Sequence, residues 1–377
     1  MKQIVNGTGL EEIYEKVDHG KRLSADDGIR LFQSPHLSAV GALADIVRER
    51  LNGNRAYYIY NQHINYSNIC QNACRFCAFR RKIDDEGAYR MSVDTVVDKV
   101  RDRLDEPITE LHIVGACDPE LPFEFYIEML SAIRSARPGV HIQAFTCVEI
   151  ADIAQKGGLS IEEALRALKA AGLGSIPGGG AEVFASRIRR ELCNTKLSPA
   201  GWLDVAETAH GLGIKSNATL LYGHMETIEE RVDHLVRLRE SQDRSGGYLA
   251  FIPLAFHPAN TELSHLEGPT GVDDLKNIAV ARLMLDNFPH IKAFWIMIGK
   301  KLSQISLSFG ADDMDGTVIE EKITHMAGAT TDQIFPVGDL RRYITEAGRE
   351  PVERDTLYNA IARDTPTGER LHADSNR

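Results

Sequence analysis

HINYSNICQNACRFCAF, residues 63–79, carries three cysteines, Cys70, Cys74 and Cys77, in the spacing C-x3-C-x2-C. It directly follows a short aromatic and β-branched run, Tyr57–Ile64, which reads as a strand. Three thiolates on one short loop can wrap an iron–sulfur cubane and ligate all but one of its irons. A full set of four would suit simple electron transfer. With no fourth cysteine close by in the sequence, one iron keeps an open position, which is how a metal centre comes to bind substrate. A zinc site would bring a second C-x2-C or a paired histidine downstream, and neither occurs at suitable spacing. Buried structural cysteines are the plain alternative, but three within eight positions are far denser than chance.

Outward from this loop, short apolar runs recur with amphipathic stretches between them. Strands are expected at Tyr57–Ile64, Glu110–Val114, His141–Phe145, Leu173–Ile176, Ile214–Tyr222, Tyr248–Phe256, Ile291–Met297 and Ile305–Phe309. Helical patterning falls near 92–104, 123–136, 160–171, 199–212, 226–242 and 273–287. Ser160 heads one of these helices and Gly172 stops it; Ser198 heads another. VEIADIAQKG, after the third strand, is short for a helix and stays ambiguous. Eight strands alternating with helices predict an α/β fold, a (β/α)8 TIM-type barrel, with an open six-stranded partial barrel as its competitor. Residues 1–54 read as a helical N-terminal segment with starts at Ser24 and at Ser34–Pro35, 55–327 as the barrel, and 328–377 as a C-terminal extension. That extension holds one helix near Val337–Ala347 and, over Thr365–Arg377, the composition of a frayed tail.

The formal net charge of −11 argues against nucleic acid or an anionic membrane surface as partner. The N-terminal MKQIVNGTGLEEIYEKVDHGKRL lacks an apolar core of signal-peptide length, and no apolar stretch reaches a membrane span, so a cytoplasmic protein is expected. Six cysteines, three of them clustered, do not form a disulfide framework.

In such barrels chemistry sits at the C-terminal ends of the strands. Just past the expected strands lie Gly115–Asp118, Thr146–Glu149, Gly178–Glu182, Tyr222–Glu226, His257 and Asp312–Asp315. Ile176-Pro-Gly178-Gly179-Gly180-Ala-Glu182 exposes backbone N–H groups to a close ligand, or simply makes a tight turn. Glu149 is a candidate cofactor-binding carboxylate, or a helix N-terminal acid favoured by the dipole. His63, His224 and His257 fall near strand ends and converge on one mouth. Arg80 and Arg81 follow the cysteine loop and suit carboxylates or plain surface solvation.

The loop resembles the signature of the radical S-adenosylmethionine (SAM) superfamily, C-x3-C-x-aromatic-C, with Phe76 in the aromatic position. The resemblance implies a [4Fe–4S] cluster on Cys70, Cys74 and Cys77, with SAM chelated at the open iron and the adenine near Phe76. Gly115-Ala116-Cys117 stands where that superfamily has a Gly-Gly-Glu-like stretch; Ala116 and Cys117 depart from it, which leaves backbone groups to hold the SAM amino group. Further SAM contacts implied are Phe79, Glu149 and Ser175, with Gly178, Gly179 and Glu182 from the glycine run.

Longer blocks sharpen the resemblance over roughly residues 55–360. HIQAFTCVEI, SIPGGGAEVF, SNATLLYGHMET, GGYLAFIPLAFHPANT and FGADDMDGTVIEE resemble the aminofutalosine synthases of the futalosine route to menaquinone. The dehypoxanthine futalosine cyclases share PGGGAE and LDN, and deazaflavin-precursor synthases are expected to be more distant. The implied reaction adds the 5′-deoxyadenosyl radical of SAM to 3-[(1-carboxyvinyl)oxy]benzoate, an enolpyruvyl benzoate, giving 6-amino-6-deoxyfutalosine and methionine, with an external low-potential electron donor. Arg80, Asn217, His224 and His257 would serve the two carboxylates, His63 the chemistry nearby, and Phe79, Tyr222 and Phe256 the ring. Trp295 reads as barrel packing, and Asp312–Asp315 as either a partner for cations or a helix cap. A rival of another class is a non-catalytic iron–sulfur electron carrier, which would need a fourth ligand from Cys117, Cys147 or Cys193.

Overall fold

The computed structural model describes residues 2–363. Its strands are β1 (Arg55–Ile59), β2 (Asn61–Ile64), β3 (Glu110–Ile113), β4 (His141–Ala144), β5 (Ser175–Ile176), β6 (Lys215–Tyr222), β7 (Tyr248–Ala255), β8 (His290–Ile291), β9 (Asp313–Gly316) and β10 (Glu350–Glu353). β2 through β8 form one parallel sheet in sequence order, and β10-β1-β9 form a second. Only Tyr60 separates β1 from β2. β9 lies beside β1, Asp313 bridges Lys292 just past β8, and Ile319 bridges Gln62. The segment from Asp313 to Ile319 therefore spans the gap between the last and first strands. With β1 and β2 taken as one strand, the ring of the (β/α)8 barrel is complete.

Parallel strands flanked by helices are buried on both faces, and their residues are accordingly almost all buried. Along β6 the side chains alternate. Thr219 and Leu221 face the cavity inside the barrel, whereas Tyr222 points outward to Asp274.

The first six expected strands coincide with β1/β2 through β7. The last two do not. β8 is only two residues long and leads into a short helix, Trp295–Ile298. Ile305–Phe309 lies in the end of the helix Lys300–Ser306 and the turn after it. The closing strand is instead the acidic run at β9, whose carboxylates are neutralised inside the protein. Asp312 binds Arg282 and His290, and Arg354 Nε donates to Asp313 at 2.6 Å. The acidic group is thus a set of buried ion pairs that closes the barrel.

The ambiguous VEIADIAQKG is a helix, Cys147–Gly157, followed by a second, Ile161–Ala171. Thr146 caps the first in a capping box with Glu149, and Gly158, in the left-handed region, ends it. Ser24 and Asp27 make the same box at the helix Ala25–Gln33. The N-terminal helices pack on the barrel's outer layer. Arg239 Nη1 donates to Leu23 O at 2.9 Å and Lys276 Nζ to Phe32 O at 2.8 Å. The extension returns to the barrel as β10, parallel to β1. The expected tail at 365–377 lies outside the described residues.

Candidate active site

A cavity of about 290 Å³ opens at the C-terminal ends of the strands. The cysteine loop forms one wall. It is pinned from both sides: Ala73 N–H donates to Thr195 Oγ1 at 3.0 Å, Arg75 N–H to Leu192 O at 3.0 Å, and Gln71 Nε2 to Asp152 at 2.6 Å. Arg81 braces the loop from within, bonding the carbonyls of Ala78 and Arg80.

Cys70, Cys74 and Cys77 all line the cavity. Burial pushes the Cys74 thiol up to about 12. Burial also raises Cys77, opposed by the N–H groups of Arg80 and Phe79. Cys70 is lowered, chiefly by a hydrogen bond from the Cys117 thiol, which is itself held protonated by that bond. Lys196 acts to lower all three ligand thiols. Its Nζ sits 2.5 Å from Glu182 Oε1 and 5.5 Å from the centre of the Phe76 ring. Three sulfurs on one cavity wall, met by backbone N–H donors and a buried ammonium, are a ligand set that iron would hold as thiolates against the burial that keeps Cys74 and Cys77 protonated. These residues fit a [4Fe–4S] cluster. Cys117 also lines the cavity, as a donor to Cys70; Cys147 and Cys193 are buried outside its lining.

Of the expected site residues, the cavity gathers His63, Phe76, Phe79, Arg80, Gly115, Ala116, Glu149, Gly179, Glu182 and His257. Five lie elsewhere. Ser175 sits deeper in the barrel, bonded to His141 and Gln143. Gly178 faces β6, where a Cβ would stand 2.2 Å from Asn217 O. Asn217 is buried on β6 outside the lining. Tyr222 donates to Asp274 at 2.7 Å, and burial pushes that carboxyl up to about 6. His224 Nε2 meets Leu221 O at 3.1 Å, and its Nδ1 lies 3.0 Å from Glu226, which also holds Arg231. For Tyr222 and His224 the substrate role is thus replaced by a buried polar network behind β6. Strand alternation turns Tyr222 outward, and the turn at Gly223 folds His224 back beneath the next helix.

Phe256 lines the cavity as expected, whereas Trp295 packs beneath it with Nε1 donating to Gly316 O at 2.8 Å. Glu182 and Asp315 line the cavity with φ of 50° and 62°, left-handed conformations that cost energy in non-glycine residues and gather at functional sites. Sequence reasoning missed Lys196, His112 and Thr324, which also line the cavity. His112 was within reach, since it stands two residues past Glu110 on a strand of period two. Lys196, in an irregular connection, carries no such signal.

Residues 64–238 match the family model of the radical SAM superfamily, and residues 245–367 that of the CofH/MqnC C-terminal region. The chain is 48% identical to the aminodeoxyfutalosine synthase of Thermus thermophilus, over 93% of this chain and 96% of that one. It is 39% identical to the Streptomyces coelicolor enzyme of the same name, over 93% of each. A relative from Archaeoglobus fulgidus named 5-amino-6-(D-ribitylamino)uracil–L-tyrosine 4-hydroxyphenyl transferase is 41% identical over 85% of this chain and 92% of its own. Identity alone therefore does not separate these two activities.

Among solved structures, methylornithine synthase superposes with a TM-score of 0.73 at 18% identity, covering 90% of this chain and 97% of that one. The hydrogenase maturase HydG from Carboxydothermus hydrogenoformans gives 0.72 at 18%, covering 94% and 82%. Both share the barrel. The chain belongs to the radical SAM superfamily, whose members use a [4Fe–4S] cluster and SAM, and within it to the family of the aminodeoxyfutalosine synthases.

Proposed function

We propose that this enzyme joins the adenosyl group of SAM to 3-[(1-carboxyvinyl)oxy]benzoate, making 6-amino-6-deoxyfutalosine and methionine for menaquinone biosynthesis. The observation that carries this reading is one cavity lined both by the cysteine loop with Lys196 and Glu182 and by an apolar slot of Leu221, Ile252, Leu254, Phe256 and Met297.

Cys70, Cys74 and Cys77 would hold the cluster, which with an external low-potential donor would supply the electron that releases the 5′-deoxyadenosyl radical from SAM. The chain's own residues place the acceptor. The slot takes the benzoate ring and excludes water, so a carbon–carbon bond forms in preference to quenching. Arg80, on the cavity wall and 3.6 Å from Glu262, supplies a fixed cation for one carboxylate. His257 Nε2 meets the Met297 carbonyl at 2.9 Å, which fixes the proton there and leaves Nδ1 an acceptor. Burial also lowers its pKa, and in this neutral form His257 orients the slot. The aryl group then moves from oxygen to carbon as its C–O bond breaks, the freed oxygen becomes the ketone, and the carboxyl leaves as carbon dioxide with the unpaired electron, which would return to the oxidised cluster.

No helix among the described residues is long and apolar enough to cross a membrane, and a cytoplasmic location accords with the reduced thiols this site needs.

Anaerobic incubation of the reconstituted, reduced enzyme with SAM and one candidate acceptor at a time tests the reading. An adenosyl–benzoate product with the enol ether supports it. A cyclised nucleoside with 5′-deoxyadenosine from dehypoxanthine futalosine, or an arylated uracil from tyrosine and the ribitylaminouracil, overturns it.

A further inference from the structure

The cavity floor holds a polar ladder that the proposed function leaves unused. His63 on β2 and His112 on β3 are register partners, and both line the cavity. Their rings stack with centroids 4.3 Å apart and planes at 7°. His112 Nδ1 meets Gln143 Oε1 at 3.1 Å, Gln143 Nε2 donates to Ser175 Oγ at 3.2 Å, and Ser175 Oγ meets His141 Nε2 at 2.8 Å. An amide oxygen only accepts, so the His112 proton sits on Nδ1 and its Nε2 is a bare lone pair. His63 Nε2 is buried with no hydrogen-bond partner among the described residues. An orphaned polar atom on a histidine that is 5% exposed and lines a ligand cavity is a group waiting for its ligand.

Charged groups face the pair. Lys292 Nζ lies 3.4 Å from Asp315 Oδ1, and Glu110, whose pKa is lowered by Lys292 and His112 against burial, accepts from Asn61 Nδ2 at 3.3 Å. Burial lowers the pKa of His63, reinforced by His112 and Lys292. Burial also lowers His112, against the pull of Glu110 and Asp315. The two imidazoles are therefore neutral beside these buried charges.

We infer that the stacked pair His63–His112 seats one carboxylate of the substrate on the cavity floor. The inference rests on the proposed function only in taking the substrate to be an aryl dicarboxylate. A carboxylate offers lone pairs alone, so the unpartnered Nε2 of His63 can meet it as an N–H donor, whereas bonding to the bare Nε2 of His112 must bring a proton from solvent. The anion offsets the desolvation that keeps the pair neutral, and the imidazolium and carboxylate then bond as a charged pair. The Gln143–Ser175–His141 ladder holds the His112 ring and its tautomer ready for this; these three are positioning residues.

Isothermal titration of 3-[(1-carboxyvinyl)oxy]benzoate into the oxidised holoenzyme with SAM, which does not turn over, reads the effect directly. In two buffers of different ionisation enthalpy at pH 8, binding should take up about one proton per site. His112→Gln should abolish the uptake, and both it and His63→Gln, checked for wild-type iron content and circular dichroism, should weaken binding about tenfold or more. His112→Asn replaces the glutamine variant if that one fails to fold. Wild-type affinity and uptake in folded variants of both histidines overturn the inference.

3-(Carboxymethoxy)benzoate, a saturated dicarboxylate that cannot react, separates this site from the proposed activity. Its binding with proton uptake, lost in His112→Gln, supports the carboxylate seat even if no aminofutalosine forms. Aminofutalosine production with uptake unaffected by either substitution rejects the seat and leaves the activity standing.

Discussion

Glu149 Oε1 accepts a hydrogen bond from Gly115 N–H at 2.9 Å, tying the loop after β3 to the first turn of the helix after β4. The same oxygen accepts from the Tyr66 hydroxyl at 2.8 Å, while Oε2 accepts from Thr146 N–H at 2.8 Å. One buried carboxylate thus fixes three segments of the cavity wall, including the Gly115-Ala116 stretch from which the superfamily's acidic side chain is missing. Gly115 belongs to this arrangement, since a Cβ there would stand 2.6 Å from the Tyr66 ring.

Glu149→Gln keeps the shape but turns one oxygen into a donor facing N–H groups. A stability loss of about 1–2 kcal/mol is expected from the mispaired donor. SAM affinity should fall several-fold with it, and thermal melting alongside SAM titration of the reconstituted protein checks both.

Gly178→Ala should be far more damaging than Gly179→Ala one residue later. At Gly178, φ is 85° and the new methyl would meet the Asn217 carbonyl at 2.2 Å, backbone against backbone. At Gly179 the nearest atom is Thr146 Cγ2 at 3.0 Å, the movable end of a side chain. A loss above about 3 kcal/mol is expected for the first and about 1 kcal/mol for the second. Chemical denaturation of the two variants measures the contrast.

His325 gives the cavity rim a pH dependence. Its bond to Glu321, with Thr331 O on the other nitrogen, holds its pKa up to about 9 against burial. A folded pKa raised above the usual value near 6.5 means the stabilisation is full below pH 6.5 and is lost as pH rises through 9. Glu321, Thr324 and Ala327 line the cavity, so the loss falls on its rim. Hydrogen exchange over residues 321–331, corrected for intrinsic rates, should show falling protection between pH 7 and 10. His325→Gln should flatten that dependence; an unchanged slope in the variant contradicts the assignment.

Arg80→Gln removes the fixed cation from the cavity wall without touching the cysteines. KM for the enol-ether substrate should rise about tenfold, with SAM affinity within about twofold of wild type. Steady-state kinetics and SAM titration together test this. Equal losses in both would place Arg80 in the cofactor site instead.

Much of the fold was legible because apolar periodicity survives wherever a strand is buried between barrel and helices. It fails at the closing strand. Asp312, Asp313 and Asp315 are buried there as ion pairs with Arg282, His290, Arg354 and Lys292, partners distant in the sequence that no window around residue 313 contains. The cysteine loop was legible because its chemistry is local, within eight residues. His224 was misread for the opposite reason: its position past a strand end was right, but the turn at Gly223 and the pull of Glu226 and Arg231 set its direction. Lys196 owes its place to an irregular connection, which spacing does not record, whereas the period of two along Glu110–Ile113 already marked His112. A relative named as a 4-hydroxyphenyl transferase stands at 41% identity, between synthases at 48% and 39%, so overall similarity does not record which substrate is taken.

The central claim, that the adenosyl group is built into the product, is tested most directly by a single turnover with SAM labelled with carbon-13 at the adenosyl C5′ and 3-[(1-carboxyvinyl)oxy]benzoate. The account predicts the label in a new carbon–carbon bond of 6-amino-6-deoxyfutalosine, in a one-to-one ratio with methionine, and no product from Cys74→Ala. Label recovered only in 5′-deoxyadenosine, or no cleavage of SAM by an intact reduced cluster, would contradict it.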